Sequence, residues 1–337
     1  MSVDGGLPVE MPASLSSHSL NASPSGVIMH RHFRDVDELA AFIPDDVQLT
    51  QLNCMPFTCT SMGLYFETIH FTFNHANSRL YAIGGKYPGF LPFTCLLHGQ
   101  GQPVIANNLP LTAEHLWGFD PHREADLVFP GNSTHCAIHV RADVFAACAQ
   151  AMDRSDLNEQ FLDLNYVYSP DLLPPLHQYL QQLYELLQQR SPLLQRGDFQ
   201  HLILQDFLPL LITALPIQHD TMKISVKAFR RAALVKQANH YLQAHLDQPL
   251  TLTDLCAALG TSRRALCYGF QELFGMSPMA YLKALRLQSV HRALKVAHSE
   301  QQTVTAIAAQ FGFYHLGYFA RDYQQMFGER PSMTLNR

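Results

Sequence analysis

The C-terminal third carries one short pattern twice, and that repeat constrains the fold more than any other feature of the chain. The first copy, TLTDLCAALGTSRRALCYGFQELFG, occupies 251–275, and the second, TVTAIAAQFGFYHLGYFARDYQQMFG, occupies 303–328. Each has an Ala-rich first segment, a glycine-containing turn, an aromatic inner position and a closing Phe-Gly. Phe274-Gly275 answers Phe327-Gly328 and Pro278 answers Pro331, an offset of 53 residues.

Helical spacing sorts each copy into two faces. In the first, Leu252, Leu255, Cys256 and Leu259 share an apolar face. Gly260 supplies a permissive turn, and Ser262 stands where an N-cap belongs. Leu266 and Phe270, four apart, pack inward together, which leaves Arg263, Arg264, Cys267 and Tyr268 on or near the other face. In the second copy Val304, Ile307, Ala308 and Phe311 form the inner face, Gly312 ends the helix, and Phe319, Tyr323 and Phe327 follow inward. Tyr314, His315, Gly317, Tyr318 and Arg321 remain for solvent or DNA. A DNA-recognition helix needs this division, because apolar side chains fix its docking while polar ones near its N-terminus reach base edges or phosphates. Arg321 is the strongest single candidate, since a guanidinium can bind guanine or phosphate with two hydrogen bonds.

The spacing predicts helices over 232–246, 252–258, 263–273, 278–297, 305–310 and 317–326. The connector MAYLKALRLQSVHRALKVAH would span ~30 Å at ~1.5 Å per residue, close to the ~34 Å between major-groove openings on one DNA face. Charge agrees. The whole chain has a net charge of -5, yet residues 223–337 hold 14 Lys and Arg against 6 Asp and Glu, and the remainder holds 9 against 22. A basic module on an acidic body suits a nucleic-acid partner.

Residues 30–145 have the texture of strands: GLYFETIHFTF alternates, and short apolar runs are broken by Gly and Pro. Such short strands suggest an antiparallel barrel or sandwich able to enclose one small ligand. Tyr65, Glu67, Ile69, Phe71 and Phe73 would share one strand face. With Tyr81 and Trp117, the polar members Tyr65 and Glu67 are the candidate effector-binding residues, a mixed wall suited to a small organic molecule. Beyond about 145 the period becomes helical. Leu176, Tyr179, Leu180, Leu183, Tyr184 and Leu187 form a stripe that serves either packing or a homodimer through 146–222.

With 337 residues, 47 % of them hydrophobic, the chain can build about two domains with real cores. The expected division is a flexible tail over 1–29, a β-rich sensor domain over 30–145, a helical dimerisation or linker region over 146–222, and a DNA-binding domain over 223–337. The longest apolar run, at 207–217, is shorter than the ~17–25 residues of a membrane span, and the first 26 residues do not read as a signal peptide. The seven cysteines show no CxxC pair, which favours a reduced, cytoplasmic setting. His135 and His139 are only same-face neighbours in a strand, so no metal or cofactor site is predicted. IGGKYPG lacks the phosphate-loop ending and GNSTH lacks a nucleophile elbow, so no enzyme is predicted.

The C-terminal residues resemble the AraC/XylS family of bacterial transcription regulators. In the first unit the resemblance rests on Leu255, Ala257, Gly260, Ser262, Leu266, Phe270, Phe274 and Gly275, and in the hallmark after it on Ser277-Pro278, Tyr281-Leu282 and Arg286-Leu287. In the second unit it rests on Val304, Ile307, Ala308, Gly312-Phe313, Phe319, Arg321, Phe327-Gly328 and Pro331. It implies base contacts from Arg264, Cys267 and Tyr268, and from the positions of Gly317, Tyr318 and Arg321. It also implies a cupin-like N-terminal barrel that takes a small effector, so that the whole is α+β, with promoter DNA and RNA polymerase as partners. The sequence departs from the family at Tyr268, where Arg is frequent, at Gly317, which has no side chain to offer a base, and at Thr334-Leu335 near the end. The rival reading is a helical interaction or dimerisation protein whose helix-turn-helix pair does not read DNA.

Overall fold

The computed structural model describes residues 26–43, 45–217, 226–298 and 301–336. The tail expected over 1–29 falls largely outside them, as do residues 218–225 at the expected boundary between the middle region and the DNA-binding domain. The body opens with β1 (Val27–Phe33), α1 (Val36–Phe42), β2 (Val47–Gln51), β3 (Cys59–Tyr65), β4 (Ile69–Ala76), β5 (Leu80–Gly84) and β6 (Phe90–His98). It continues through β7 (Val104–Ala106), β8 (Leu109–Leu111), β9 (His115–Trp117), β10 (Ala125–Phe129) and β11 (Ser133–Arg141). Then come α2 (Ala142–Ala151), α3 (Glu159–Leu162), β12 (Tyr166–Tyr168), α4 (Leu173–Gln188) and α5 (Gly197–Thr213). The C-terminal part is helical among the described residues: α6 (Val226–Ala244), α7 (Leu252–Ala258), α8 (Arg263–Phe274), α9 (Pro278–Val296), α10 (Val304–Gln310), α11 (Leu316–Phe327) and α12 (Pro331–Leu335).

The strands form two antiparallel sheets, one in the order β1-β3-β4-β11-β6-β9-β12 and one in the order β2-β5-β10-β7-β8. Neither sheet closes on itself, so the cupin-like barrel expected for 30–145 is not formed. The reason lies in the central strands. Cys136 pairs with Phe73 and His139 with His70 across β11 and β4, and both faces of those strands are buried. Phe71, Phe73, Phe93, Cys136, Ile138 and Val140 meet the helices on one face. The opposite face meets the second sheet through Cys59, Ala76, Leu96 and Trp117, packed on Leu49, Leu80, Ala82 and Phe129. A sheet buried on both faces needs a cover on each. Here helices supply one and five strands the other.

The middle region contributes to this same core. Leu176, Leu180, Leu183, Tyr184 and Leu187 are buried, Tyr184 lies against Phe73, and Tyr179 lies against Phe207. The stripe is thus occupied by packing within the chain, and a dimer through 146–222 is left the opposite face of these helices.

The outer face of the five-stranded sheet is also covered. Leu52, Tyr81, Ile83 and Val128 join one apolar cluster with Val235, Leu255, Leu266, Phe270, Phe274 and Tyr281 of the helical part. At the edge strand β2, the Gln288 side-chain amide accepts from Gln51 N and donates to Gln51 O, as a neighbouring strand would. A separate cluster around Leu287, Val290, Ile307, Phe319, Tyr323 and Met326 holds the second helical unit. Among the described residues no helix is long and apolar enough to cross a membrane.

Candidate nucleic-acid interface

Local chemistry dictates both helical units. Thr251 caps α7 in a capping box with Asp254. Gly260 takes a positive φ of 57°, which lets the chain turn without a Cβ penalty. Ser262 then caps α8 through Ala265 N at 3.2 Å, and the helix ends at Gly275 in the left-handed conformation. The second unit repeats these devices: Thr303 caps α10, Gly312 turns the chain, and Gly328 ends α11. Two caps differ: α10 has Ala306 where α7 has Asp254 and so lacks the capping box, and His315 makes no side-chain capping bond at α11. The connector α9 has 19 residues, about 28 Å at ~1.5 Å per residue.

The inward rows are buried: Leu266, Phe270 and Phe274 in α8, and Phe319, Tyr323 and Met326 in α11. Gly269 lies where a Cβ would stand 2.9 Å from Val235 Cγ2, so α8 packs closely on α6. Arg263, Arg264 and Tyr268 are exposed and Cys267 is half-buried. Tyr314, His315, Gly317, Tyr318 and Arg321 are all exposed. The Arg321 guanidinium lies 5.2 Å from the Tyr318 ring centroid, a cation–π arrangement that orders both side chains. Tyr268 is ordered in the same way by Arg231, 5.1 Å from its ring and paired with Glu272 at 2.6 Å. Arg231 was missed by the sequence reading because it belongs to α6, outside the helix it braces. Arg330 was missed too. It lines a groove with Arg321, just beyond the second recognition helix.

The basic excess of the C-terminal part is not all offered to DNA. Lys295 lies 2.9 Å from Asp35, Arg292 2.9 Å from Asp37, and Lys236 3.0 Å from Glu124. These pairs tie the helical part to the acidic body. Arg263 and Arg264 make no ion pair among the described residues.

The candidate effector residues are not gathered in one place. Residues 66–68 separate β3 from β4, so Tyr65 does not share a face with Phe71. Its hydroxyl accepts from Thr72 Oγ1 at 3.2 Å, on the sheet's other side. Glu67 is exposed beside Arg141. Tyr81 packs on Phe274 with ring centroids 4.8 Å apart. Trp117 alone lines a substantial cavity, of about 410 Å³, between the body and α6. Leu109, Leu111 and Tyr166 give it an apolar wall, and Arg123 and Lys236 stand among its lining residues. A smaller cavity of about 50 Å³ shares Trp117 and Asn165 with it and is lined by Lys86 and Asp45. Burial pulls the Lys86 ammonium down to about 8, although it donates to Asp120 O and Asn165 Oδ1. The Trp117 indole N–H is buried and has no protein acceptor among the described residues.

Residues 255–337 match a family described as a helix-turn-helix domain. The chain is 42% identical over 102 residues to a probable thc operon regulatory protein of Rhodococcus erythropolis, covering 30% of this chain and 31% of that one. It is 32% identical over 121 residues to XylDLEGF operon transcriptional activator 3 of Pseudomonas putida, covering 36% and 35%. A solved structure of a probable AraC family transcriptional regulator from Rhodopseudomonas palustris is 45% identical over 31% of this chain and 96% of its own, with a TM-score of 0.30. The chain spans about a third of the length of the two curated relatives. Through residues 255–337 the chain carries a helix-turn-helix domain of the AraC/XylS type found in bacterial transcription regulators.

Proposed function

We propose that the chain is a sequence-specific transcription regulator that sets α8 and α11 into successive major-groove segments of promoter DNA and answers to a small organic effector. The observation that carries the reading is the duplicated helix with a buried apolar row and an exposed Arg- and Tyr-bearing row. On this reading Arg263 and Arg264 serve the first half-site with Cys267 and Tyr268, while Tyr314, His315, Tyr318 and Arg321 serve the second. Gly317 contributes backbone alone. Nothing in the reading calls for catalysis.

Arg264→Ala is expected to cost about 1–3 kcal/mol of discrimination at one base pair, read from affinities for a panel of single-base operator variants. Arg321→Ala is expected to remove footprint protection from the other half, about one helical turn away. Equal weakening on every sequence would reduce Arg264 to a phosphate contact. Absence of any salt-dependent DNA binding by the full chain would favour the rival reading of a helix-turn-helix pair that reads no DNA.

The cavity beside Trp117 is the effector site we propose. Apolar and polar side chains both line it, it is large enough for a metabolite, and Ala232, Ala233 and Lys236 of α6 line one side, so an occupant touches both the body and the helical part. Trp117 is the chain's one tryptophan, so its emission reports occupancy directly. A metabolite that shifts this emission is expected to change DNA affinity, and operator must change metabolite affinity by the same factor. Calorimetric titration with and without operator checks this. A ligand whose affinity ignores DNA is not the effector.

A further inference from the structure

Both reading helices are held by the N-terminal body, and the two holds are chemically specific. Arg79, in the turn before β5, donates from Nη1 to Phe274 O at 3.0 Å and from Nη2 to Leu273 O at 3.4 Å. A cation on the last carbonyls of α8 is the favourable end for a helix dipole.

The second hold is a hydrogen-bond chain through the connector. Asp35 Oδ1 caps α1, accepting from Asp37 N at 2.7 Å. Its Oδ2 faces Lys295 Nζ and His291 Nε2, each at 2.9 Å. Burial pushes the Asp35 carboxyl up, but the hydrogen bonds from His291 and Lys295 outweigh it and hold the group well below the ordinary carboxylate range. His291 Nδ1 lies 2.6 Å from the Tyr323 hydroxyl in α11. Tyr323 Oη lies 2.8 Å from Thr334 Oγ1 in α12, which donates to Glu329 at 2.7 Å. The His291 ring thus bridges Asp35 through Nε2 and Tyr323 through Nδ1, and the Tyr323 hydroxyl carries the path on to Thr334 in α12. The Phe327 ring stacks on His291 at 4.2 Å and closes the chain from water.

We infer that Asp35, acting through His291 and Tyr323, is a positioning residue for the second reading helix, and that the N-terminal body thereby fixes where α11 stands relative to α8. This rests on the DNA-reading role proposed above, and its consequence is that a change felt at α1 reaches the second half-site without any contact between body and DNA.

The decisive variants are Asp35→Ser and Tyr323→Phe in the full chain. Serine caps a helix about as well as aspartate, so α1 keeps its N-terminus while the reach to His291 is lost. Phenylalanine keeps the Tyr323 ring packing and removes only the hydroxyl. Each is expected to lower operator affinity about tenfold, roughly 1.4 kcal/mol, with footprint protection lost at the second half-site and kept at the first. Because the two act through one chain, the double variant is expected to be no worse than either alone. Amide hydrogen exchange without DNA is expected to quicken in α11 and not in α8. Unchanged exchange in α11, additive losses, or equal loss at both half-sites would overturn the proposal. Were the wild-type chain to bind no DNA, the regulator reading would fall, and exchange in α11 would still decide the positioning chain.

Discussion

Phe270→Ala is expected to destabilise the protein by about 3–5 kcal/mol, the range for emptying a buried phenylalanine site. Phe270 is fully buried and meets Phe274 and Tyr281 edge-on, each at 5.5 Å between centroids. Its cluster also contains Tyr81, Ile83 and Val128 of the five-stranded sheet. The loss therefore falls on the first reading unit and on its seat against the body together. Urea unfolding followed by circular dichroism and by Trp117 emission checks this, and both probes are expected to shift to lower denaturant. A change below about 1 kcal/mol would mean that the inward row of α8 is not the core of its unit.

At Trp117 the expected result depends on the replacement. Trp117→Ala empties a fully buried site between the sheets and is expected to cost about 3–5 kcal/mol. Trp117→Phe keeps most of the ring and discards an indole N–H that has no protein acceptor among the described residues. Removing a buried donor that makes no hydrogen bond costs little, so this variant is expected within about 1 kcal/mol of the wild type by thermal unfolding. A large loss for Trp117→Phe would show that the N–H has a partner in solution. The same pair separates the effector site from the core. Trp117→Phe leaves the 410 Å³ cavity its aromatic wall and should retain an effector that packs on it.

The reading domain was legible because its determinants are local. Thr251, Gly260, Ser262 and Gly275 each act within a few residues, and they set α7 at 252–258 as expected and α8 within one residue of its expected end. The body resisted because pairing between distant strands is not written in alternation. Alternation gives β4 two faces, Phe71 and Phe73 on one and His70, Thr72 and Asn74 on the other. It does not say that the polar-looking face is buried as well. That second buried face is what replaces a barrel by two stacked sheets. The effector reading failed to gather for a related reason: one turn at 66–68 broke the strand on which Tyr65 and Phe71 were aligned. The charge asymmetry was real, but three of the C-terminal cations answer acids of the body. Overall charge counts cannot tell an internal partner from DNA.

The Gln288 amide that completes strand β2 at Gln51 has a consequence for cells that make an incomplete chain. A product ending near residue 217 would keep both sheets and lose what covers the outer face of the five-stranded one. Tyr81, Ile83 and Val128 would become a bare apolar surface, and Gln51 would stand at an open strand edge beside it. Such a fragment offers other polypeptides both adhesive area and a template for strand addition. Premature termination is thus expected to yield inclusion material cleared by proteolysis, not a soluble competitor that poisons the intact regulator.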